Sequence, residues 1–463
     1  MVAVAVGLPL LSALGVSPVA KAFPTEVRVE EQDSEAQEEK PPSISQLYPL
    51  LFPYGADETL TVVAASEAAV TDVPEQGFWL GALNIRPAVN LRYIDSDSVF
   101  IEDPTPTRVR YLEVEPVLAG LLAPGSSDGR LSFRYAPRFR TGASEDVVNS
   151  TTHIFDAGVD YPISASSSLS GGYRYVDGTL ETREVDPGGE FFFGLQPFTR
   201  HRLFGSSDVA IGAVWGVGVG ADWNWVDIDE EQAGFYSHER GSANGNLWYD
   251  VNPTMRARVG YRYDRVPPPA TRPIAESSAH TAFVAVDGEL SPATRATVSL
   301  GYRDQTNPNI AGPGSSFGGV TYEGRIRRDI SWSSSLTLAV FRAPLPSAFQ
   351  DNGFYTTTGL GLSARFQLPL EVSAIGSIEY RRNGYERDTL IPDDDGNIVD
   401  VGDPRRDDLF GWSVGLGRAL TRWGFIRADY RETKRDSNVP NFRNDTGAFV
   451  LQVGFGYFGS GQP

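Results

Sequence analysis

Met255-Arg256-Ala257-Arg258-Val259-Gly260-Tyr261-Arg262-Tyr263-Asp264-Arg265 decides the fold. From Met255 to Tyr263 the odd positions are apolar or aromatic, and the even positions through Asp264 are charged or glycine. A period of two is the signature of a β-strand with one apolar face and one wet face. The pattern recurs roughly every 20 residues from Gly77 to Phe458, broken each time by turns rich in Pro, Gly, Asp or Ser. A soluble sandwich would also alternate but would put its charges outside. The segment lengths, the aromatic placement and the glycine load point to the inverse arrangement, with apolar side chains toward lipid and ions toward an aqueous lumen.

The chain of 463 residues contains no cysteine, so disulfides and Cys-based metal sites are excluded. Its net charge of −19 comes with no basic patch, which excludes a phosphate-backbone partner: no nucleic acid is expected. Residues 1–22 read as a secretory signal, with an apolar core from Leu8 to Val19 and Ala20-Lys21-Ala22 as the cleavage site. The n-region has no Lys or Arg, which suggests a true start upstream of Met1. Beyond residue 22 no apolar run reaches the length of a transmembrane helix, so any membrane crossing must use strands.

Residues 23–76 are expected to form an acidic, partly disordered periplasmic segment: Glu-rich as far as Ser43, then less polar, with the apolar knot Leu47 to Tyr54. This segment is a candidate handle, lumen plug or partner-binding element. Residues 77–458 are read as an all-β transmembrane barrel, antiparallel and up-and-down, of about 18 strands, and 459–463 as a short tail. Short turns such as Asn252-Pro253-Thr254 and Leu368-Pro369-Leu370 alternate with longer, more acidic connections such as Leu180 to Phe198, Asp304 to Phe317 and Arg387 to Asp408. That asymmetry is expected of a barrel with periplasmic turns and external loops. On Val320 to Trp332 the outward set begins with Val320 and Tyr322 and ends with Ile330 and Trp332. Tyr322 and Trp332 would stand about 23 Å apart along the membrane normal, as two aromatic girdles do. Trp215 with Trp225, and Trp423 with Tyr430, form similar pairs. Arg328 is the discordant outward residue and would have to snorkel or sit at a bulge. Pro87, Pro116 and Pro137 fall inside the first strands, where each removes a ladder bond, so bulges or an irregular wall are expected there.

The faces opposite the apolar sets would line the channel: Arg256, Arg258 and Arg262; Glu323, Arg325, Arg327 and Asp329; Glu379 and Arg381; Arg427, Asp429 and Arg431. Signs interleave, so pairing across strands is the plain expectation, and an arginine ladder guiding an anionic solute or a sugar chain the sharper one. Phe191-Phe192-Phe193 could extend a hairpin at the rim, fold inward as a constriction or meet a surface partner. Other motifs carry no chemistry. Gly411-Trp412-Ser413-Val414-Gly415 spells a nucleophile elbow but lies mid-strand, without the strand-to-helix turn that motif needs. Gly216 to Gly220 lacks the spacing of a dinucleotide fingerprint, and Asp393 to Asn397 misses the Ca²⁺-loop spacing. No enzyme activity, cofactor or metal is expected.

The block Trp423 to Asn438, then Asn441-Phe442-Arg443-Asn444 and the last strand Gly447 to Phe458, resembles the end of the β-barrel porin 2 family. The opening Gly77-Phe78-Trp79-Leu80-Gly81-Ala82-Leu83-Asn84-Ile85-Arg86-Pro87 is similar to that family's first strand. The resemblance implies a passive outer-membrane conduit in polysaccharide export, with a polysaccharide chain and a periplasmic polysaccharide-export protein as partners. Outer-membrane lipid and the barrel assembly machinery, which reads the aromatic-rich last strand, complete the expected partners. The alternatives are a general diffusion porin and a plugged structural or surface-binding barrel. Two features depart from the family: the acidic segment before Gly77, and Gly459 to Pro463 trailing the last strand.

Overall fold

A computed structural model describes residues 77–98, 107–122, 129–142, 149–164, 167–180, 196–228, 237–267, 276–331, 334–347, 352–392, 398–421, 423–439 and 442–456. Their strands are β1 (Phe78–Leu80), β2 (Leu83–Ser98), β3 (Thr107–Leu122), β4 (Arg130–Tyr135), β5 (Arg138–Gly142), β6 (Ser150–Ser164), β7 (Ser167–Leu180), β8 (Gln196–Ala210), β9 (Trp215–Ile228), β10 (His238–Asn252), β11 (Met255–Val266), β12 (Ser277–Ser291), β13 (Thr294–Thr306), β14 (Ser316–Ser331), β15 (Ser334–Pro346), β16 (Phe354–Leu368), β17 (Val372–Pro392), β18 (Ile398–Thr421), β19 (Gly424–Ser437) and β20 (Asn444–Gly456). From β2 onward each strand pairs antiparallel with the next, save that β4 and β5 both lie between β3 and β6, and β20 returns to β2, Ala88 opposite Gly456 and Ser96 opposite Ala448. The sheet has closed on itself, which removes the exposed edges an open sheet would leave.

β4 and β5 are two halves of one wall strand, which gives 18 strands around the ring. Their interruption has a local cause. Leu118 pairs with Tyr135 and Val114 with Phe139 in one unbroken register, which sets Pro116 directly opposite Pro137. Neither proline has an N–H to donate, so the ladder stops there while the register carries through. The irregular wall expected from these prolines is found at this pair. Pro87, by contrast, sits in continuous register opposite Leu118, with no bulge. It lies where β20 ends against Ala88 and the short β1 takes over, Phe78 opposite Ile85.

Following the registers once around returns to β2 displaced by about 22 residues. For 18 strands that stagger means a tilt of about 40° and a backbone-to-backbone diameter of roughly 35 Å. Seven hairpins at one end are joined by two to four residues, whereas connections at the other end run from five to fifteen. The expected external loop Arg387 to Asp408 is corrected: β17 and β18 extend to 21 and 24 residues and pair as far as Pro392 with Ile398. Beyond Gly384 their ladder shifts register but persists, so the chain there is a long hairpin arm. Phe191 to Phe193, the acidic turn Asp393 to Asn397, the whole of 1–76 and the tail 459–463 lie outside the described residues.

Burial is inverted relative to a soluble protein. Val259, Tyr261, Val284, Leu300, Val320, Leu362, Ile378, Val414 and Phe455 all point outward and are exposed, while Arg258, Asp287, Glu113 and Asn84 on the inner face are buried. Trp215 and Trp225 both face outward, one beside the short turn and one ten residues up β9, where Trp225 meets His201 edge-on. Tyr322 also faces out, but Trp332 lies outside the described residues. Arg328 does point outward, opposite Thr294, the first residue after the two-residue turn. It therefore stands at the short-turn rim, where a guanidinium reaches the headgroups.

The glycines have a packing reason. On the inner face Gly172, Gly216, Gly260, Gly359 and Gly454 are each paired across the ladder with a ring, respectively Phe204, Trp248, Phe283, Phe341 and Phe425. The ring lies over the glycine, in the space a Cβ would fill. Inner aromatics are thereby folded onto the wall.

Candidate channel lumen

Strand parity and register place every anticipated lumen residue on the inner face. On β11 these are Arg256, Arg258 and Arg262, opposite Asp250, Trp248 and Asn244 of β10 on one side and Asp287, Ala285 and Thr281 of β12 on the other. The expectation of cross-strand pairing is met here. Arg256 donates to Asp250 at 2.5 Å, Arg258 to Asp287 at 3.2 Å, and both reach Asp208 on β8. The Arg256 guanidinium also lies 3.8 Å from the Trp248 ring centroid. Arg262 binds Asp264, which in turn takes Arg303 of β13 at 2.5 Å.

Glu323, Arg325, Arg327 and Asp329 alternate along the inner face of β14, opposite Ser299, Thr297 and Arg295 of β13 for the first three. Arg327 pairs with Asp329 at 2.9 Å in an open, exposed position. Glu323 is half-buried, with one enclosed carboxylate oxygen meeting no hydrogen-bond donor. It lines a recess between β11 and β15 with Arg262, Arg303, Gly301 and Thr321. Glu379 and Arg381 pair on β17, as do Arg427 and Asp429 on β19, and Arg431 lies opposite Ser413.

The densest ion-pair network was not singled out by sequence. Glu113 and Glu115 of β3, side chains 4% exposed, are surrounded by Arg92 of β2 and by Arg134, Arg138 and Arg140 of the divided β4–β5 strand. Asp156 of β6 extends the network through Arg134 at 3.1 Å to Arg174 of β7 at 2.7 Å. These residues flank Pro116 and Pro137, where strand phase is hardest to assign from alternation. Two buried carboxylates among four guanidiniums are held by charge-assisted bonds that water need not supply. They also lock the wall where the paired prolines interrupt its backbone ladder.

Near the long-connection end a further group closes in. Arg405 binds Asp407, which also accepts from Arg435 at 3.1 Å and Ser437 at 2.8 Å, while the Arg405 guanidinium stacks 3.6 Å from Phe442 and 4.8 Å from Tyr385. Ser413 is on the inner face with its hydroxyl 2.7 Å from that of Ser377. Its pairing neighbours are Ser377 and Arg431, and the elbow motif lies mid-strand without a strand-to-helix turn. Among the described residues no cluster of His, Cys, Asp and Glu is arranged to hold a metal.

A closed, even, antiparallel ring, apolar outside and ionic inside, with short turns at one end, defines the class: a transmembrane β-barrel of the outer-membrane type. No family model matches the chain, and no curated protein matches its sequence. Similar solved structures include OccK2 (OpdF) of Pseudomonas aeruginosa, 10% identical over 83% of this chain and 100% of that one, with TM-score 0.46. The outer membrane protein opdK of Pseudomonas aeruginosa is 12% identical over 81% and 98%, TM-score 0.44. OccAB3 of Acinetobacter baumannii is 9% identical over 80% and 98%, TM-score 0.43. At such identities the solutes of those proteins do not transfer to this chain, and the fold rests on its own strand pairings. The resemblance of the two chain ends to the β-barrel porin 2 family is carried by none of these comparisons.

Proposed function

We propose that the protein is a passive outer-membrane channel for small hydrophilic solutes, in the manner of a general diffusion porin. The observation that carries this reading is the ring of strands β2 to β20, with polar and charged side chains predominating on its inner face and apolar ones outside. A ring of this size leaves room for water once two layers of side chains are subtracted. Outer-membrane lipid and the barrel assembly machinery are the partners this reading requires. Insertion of the purified chain into planar bilayers tests it: large, steady openings are expected, and a silent bilayer containing folded barrel contradicts it.

Polysaccharide export beside a periplasmic export protein rests on the likeness of the chain ends alone. A sugar chain is best guided by open aromatic faces, and the inner aromatics here are largely covered: Trp248 by Arg256, Tyr111 by Arg140 at 4.7 Å, Tyr385 by Tyr355 and Arg405, and Phe204, Phe283, Phe341 and Phe425 against glycines. That favours small solutes.

A further inference from the structure

The whole chain is acidic, yet its inner wall is not. On the described inward positions arginines outnumber carboxylates by about three to two, counting faces by strand parity. The acidic excess therefore resides elsewhere, and the lumen favours anions.

One stretch of wall concentrates this excess. Arg327 of β14, Thr337 of β15, Ser363 of β16, Ser377 of β17, Ser413 of β18 and Arg431 of β19 are successive register partners and form one lateral row. Four hydroxyls thus lie side by side between two guanidiniums, over five strand spacings or about 24 Å. One adjoining row runs Ala339, Gly361, Glu379 and Gly411 and the other Arg365, Ile375 and Gly415, so the wall is low at the three glycines. The large side chains beside the row are Ile375, Glu379, whose carboxylate is held by Arg381, and the two guanidiniums of Arg325 and Arg365. No described carboxylate hydrogen-bonds to either. The charges that act on Arg365 are the guanidiniums of Arg327 and Arg427, both repulsive, and Arg325 stands between Arg327 and Glu323, which act on it in opposite senses. Elsewhere on this wall guanidiniums are satisfied: Arg427 by Asp429, Arg381 by Glu379, Arg327 by Asp329.

We propose that this hydroxyl-floored recess between β14 and β19 is an oxyanion-binding station in the lumen, taking the carboxylate or phosphate group of a small solute. Arg365 and Arg325 supply the planar donor forks that match such oxygens, and the Ser/Thr row supplies further donors at backbone depth. The absent bulk at Gly361, Gly411 and Gly415 lets the anion approach the wall. The proposal deepens the channel reading and rests on it for its biological role.

Titration calorimetry of the folded, detergent-solubilised full chain reads the site without requiring conduction. Sodium succinate and inorganic phosphate, each against sodium chloride, are the probes. Saturable binding, of about millimolar strength as suits transit, is expected for one or both. Succinate alone assigns a carboxylate site, phosphate alone a phosphate site, and both a general oxyanion site. Arg365→Ala should weaken binding by about tenfold, Arg365→Lys should restore part of it, and Arg328→Ala at the outer rim should leave it unchanged. Arg325→Ala serves as the second variant should Arg365→Ala not fold. Heat saturating neither probe, or binding indifferent to both arginines, overturns the station. A conducting barrel without such binding would leave the channel intact and remove only the station. Binding without conductance would do the reverse.

Discussion

Glu115 shows why single residues on the inner face matter. Its carboxylate is 3.0 Å from Arg138, 3.2 Å from Arg92 and 3.5 Å from Arg134, with almost no solvent. Glu115→Gln removes a charge shared by three guanidiniums, of which Arg92 keeps Glu113 and Arg134 keeps Asp156, and the loss of a buried partner costs about 3 kcal/mol. A lowered urea midpoint for the barrel refolded in vesicles is the expected result, while Arg382→Gln, which breaks an exposed pair with Asp408 at 2.7 Å, should move it little. Gly216→Ala drives a methyl into the Trp248 ring and should cost about 1–3 kcal/mol by overpacking. Leu370 has the opposite problem. It holds φ at 65° in the turn between β16 and β17 while exposed, so Leu370→Gly should raise the same midpoint, by about 1 kcal/mol.

At the scale of elements, the paired prolines make a defined weak seam. With Pro116 opposite Pro137, the ladder between β3 and the β4–β5 strand lacks backbone bonds that side-chain ion pairs replace. The double variant Pro116→Val, Pro137→Val gives the ladder donors again. Slower hydrogen exchange of the flanking amides Glu115 and Arg138 is expected; unchanged exchange would mean that the wall is shaped there by something other than proline. The same elements mark where the sequence was legible. Strands such as β11 and β14 alternate Arg with Tyr, Val or Ile, so face, register and inner set could be read directly. β16 carries Thr357, Gly359, Gly361 and Ser363 on its inner face, against Leu360 and Leu362 outside. Small residues carry no charge signal, and Arg365 and the hydroxyl row escaped notice for that reason. Around β3 to β5 the prolines hid the phase. Asp, Pro and Gly are frequent in the β17–β18 arm and carry the composition of a loop, although its backbone still pairs.

For the molecule as a whole, closure and inversion are the claims that matter. Alternation reported the inverted faces well, since one lipid-facing residue every second position is a physical requirement. Ring closure through β20 and β2, and the stagger that sets the bore, depend on register between distant segments and leave no local trace. If the outer face meets acyl chains, Val259→Arg should cost about 2–4 kcal/mol near the membrane midplane. The chain's lack of cysteine makes the most direct measurement available. Leu362 and Ser363 are neighbours on β16 and face opposite ways, the first opposite Leu338 and Ile378 on the outer surface, the second opposite Thr337 and Ser377 on the inner one. Leu362→Cys and Ser363→Cys, reconstituted in lipid vesicles, would be treated with a charged, water-soluble maleimide and separately spin-labelled for oxygen accessibility. The fold predicts that residue 363 reacts with the maleimide while residue 362 is shielded from it and sees lipid-dissolved oxygen. Equal reactivity of the two, or the reverse order, would contradict a barrel with lipid outside and water within.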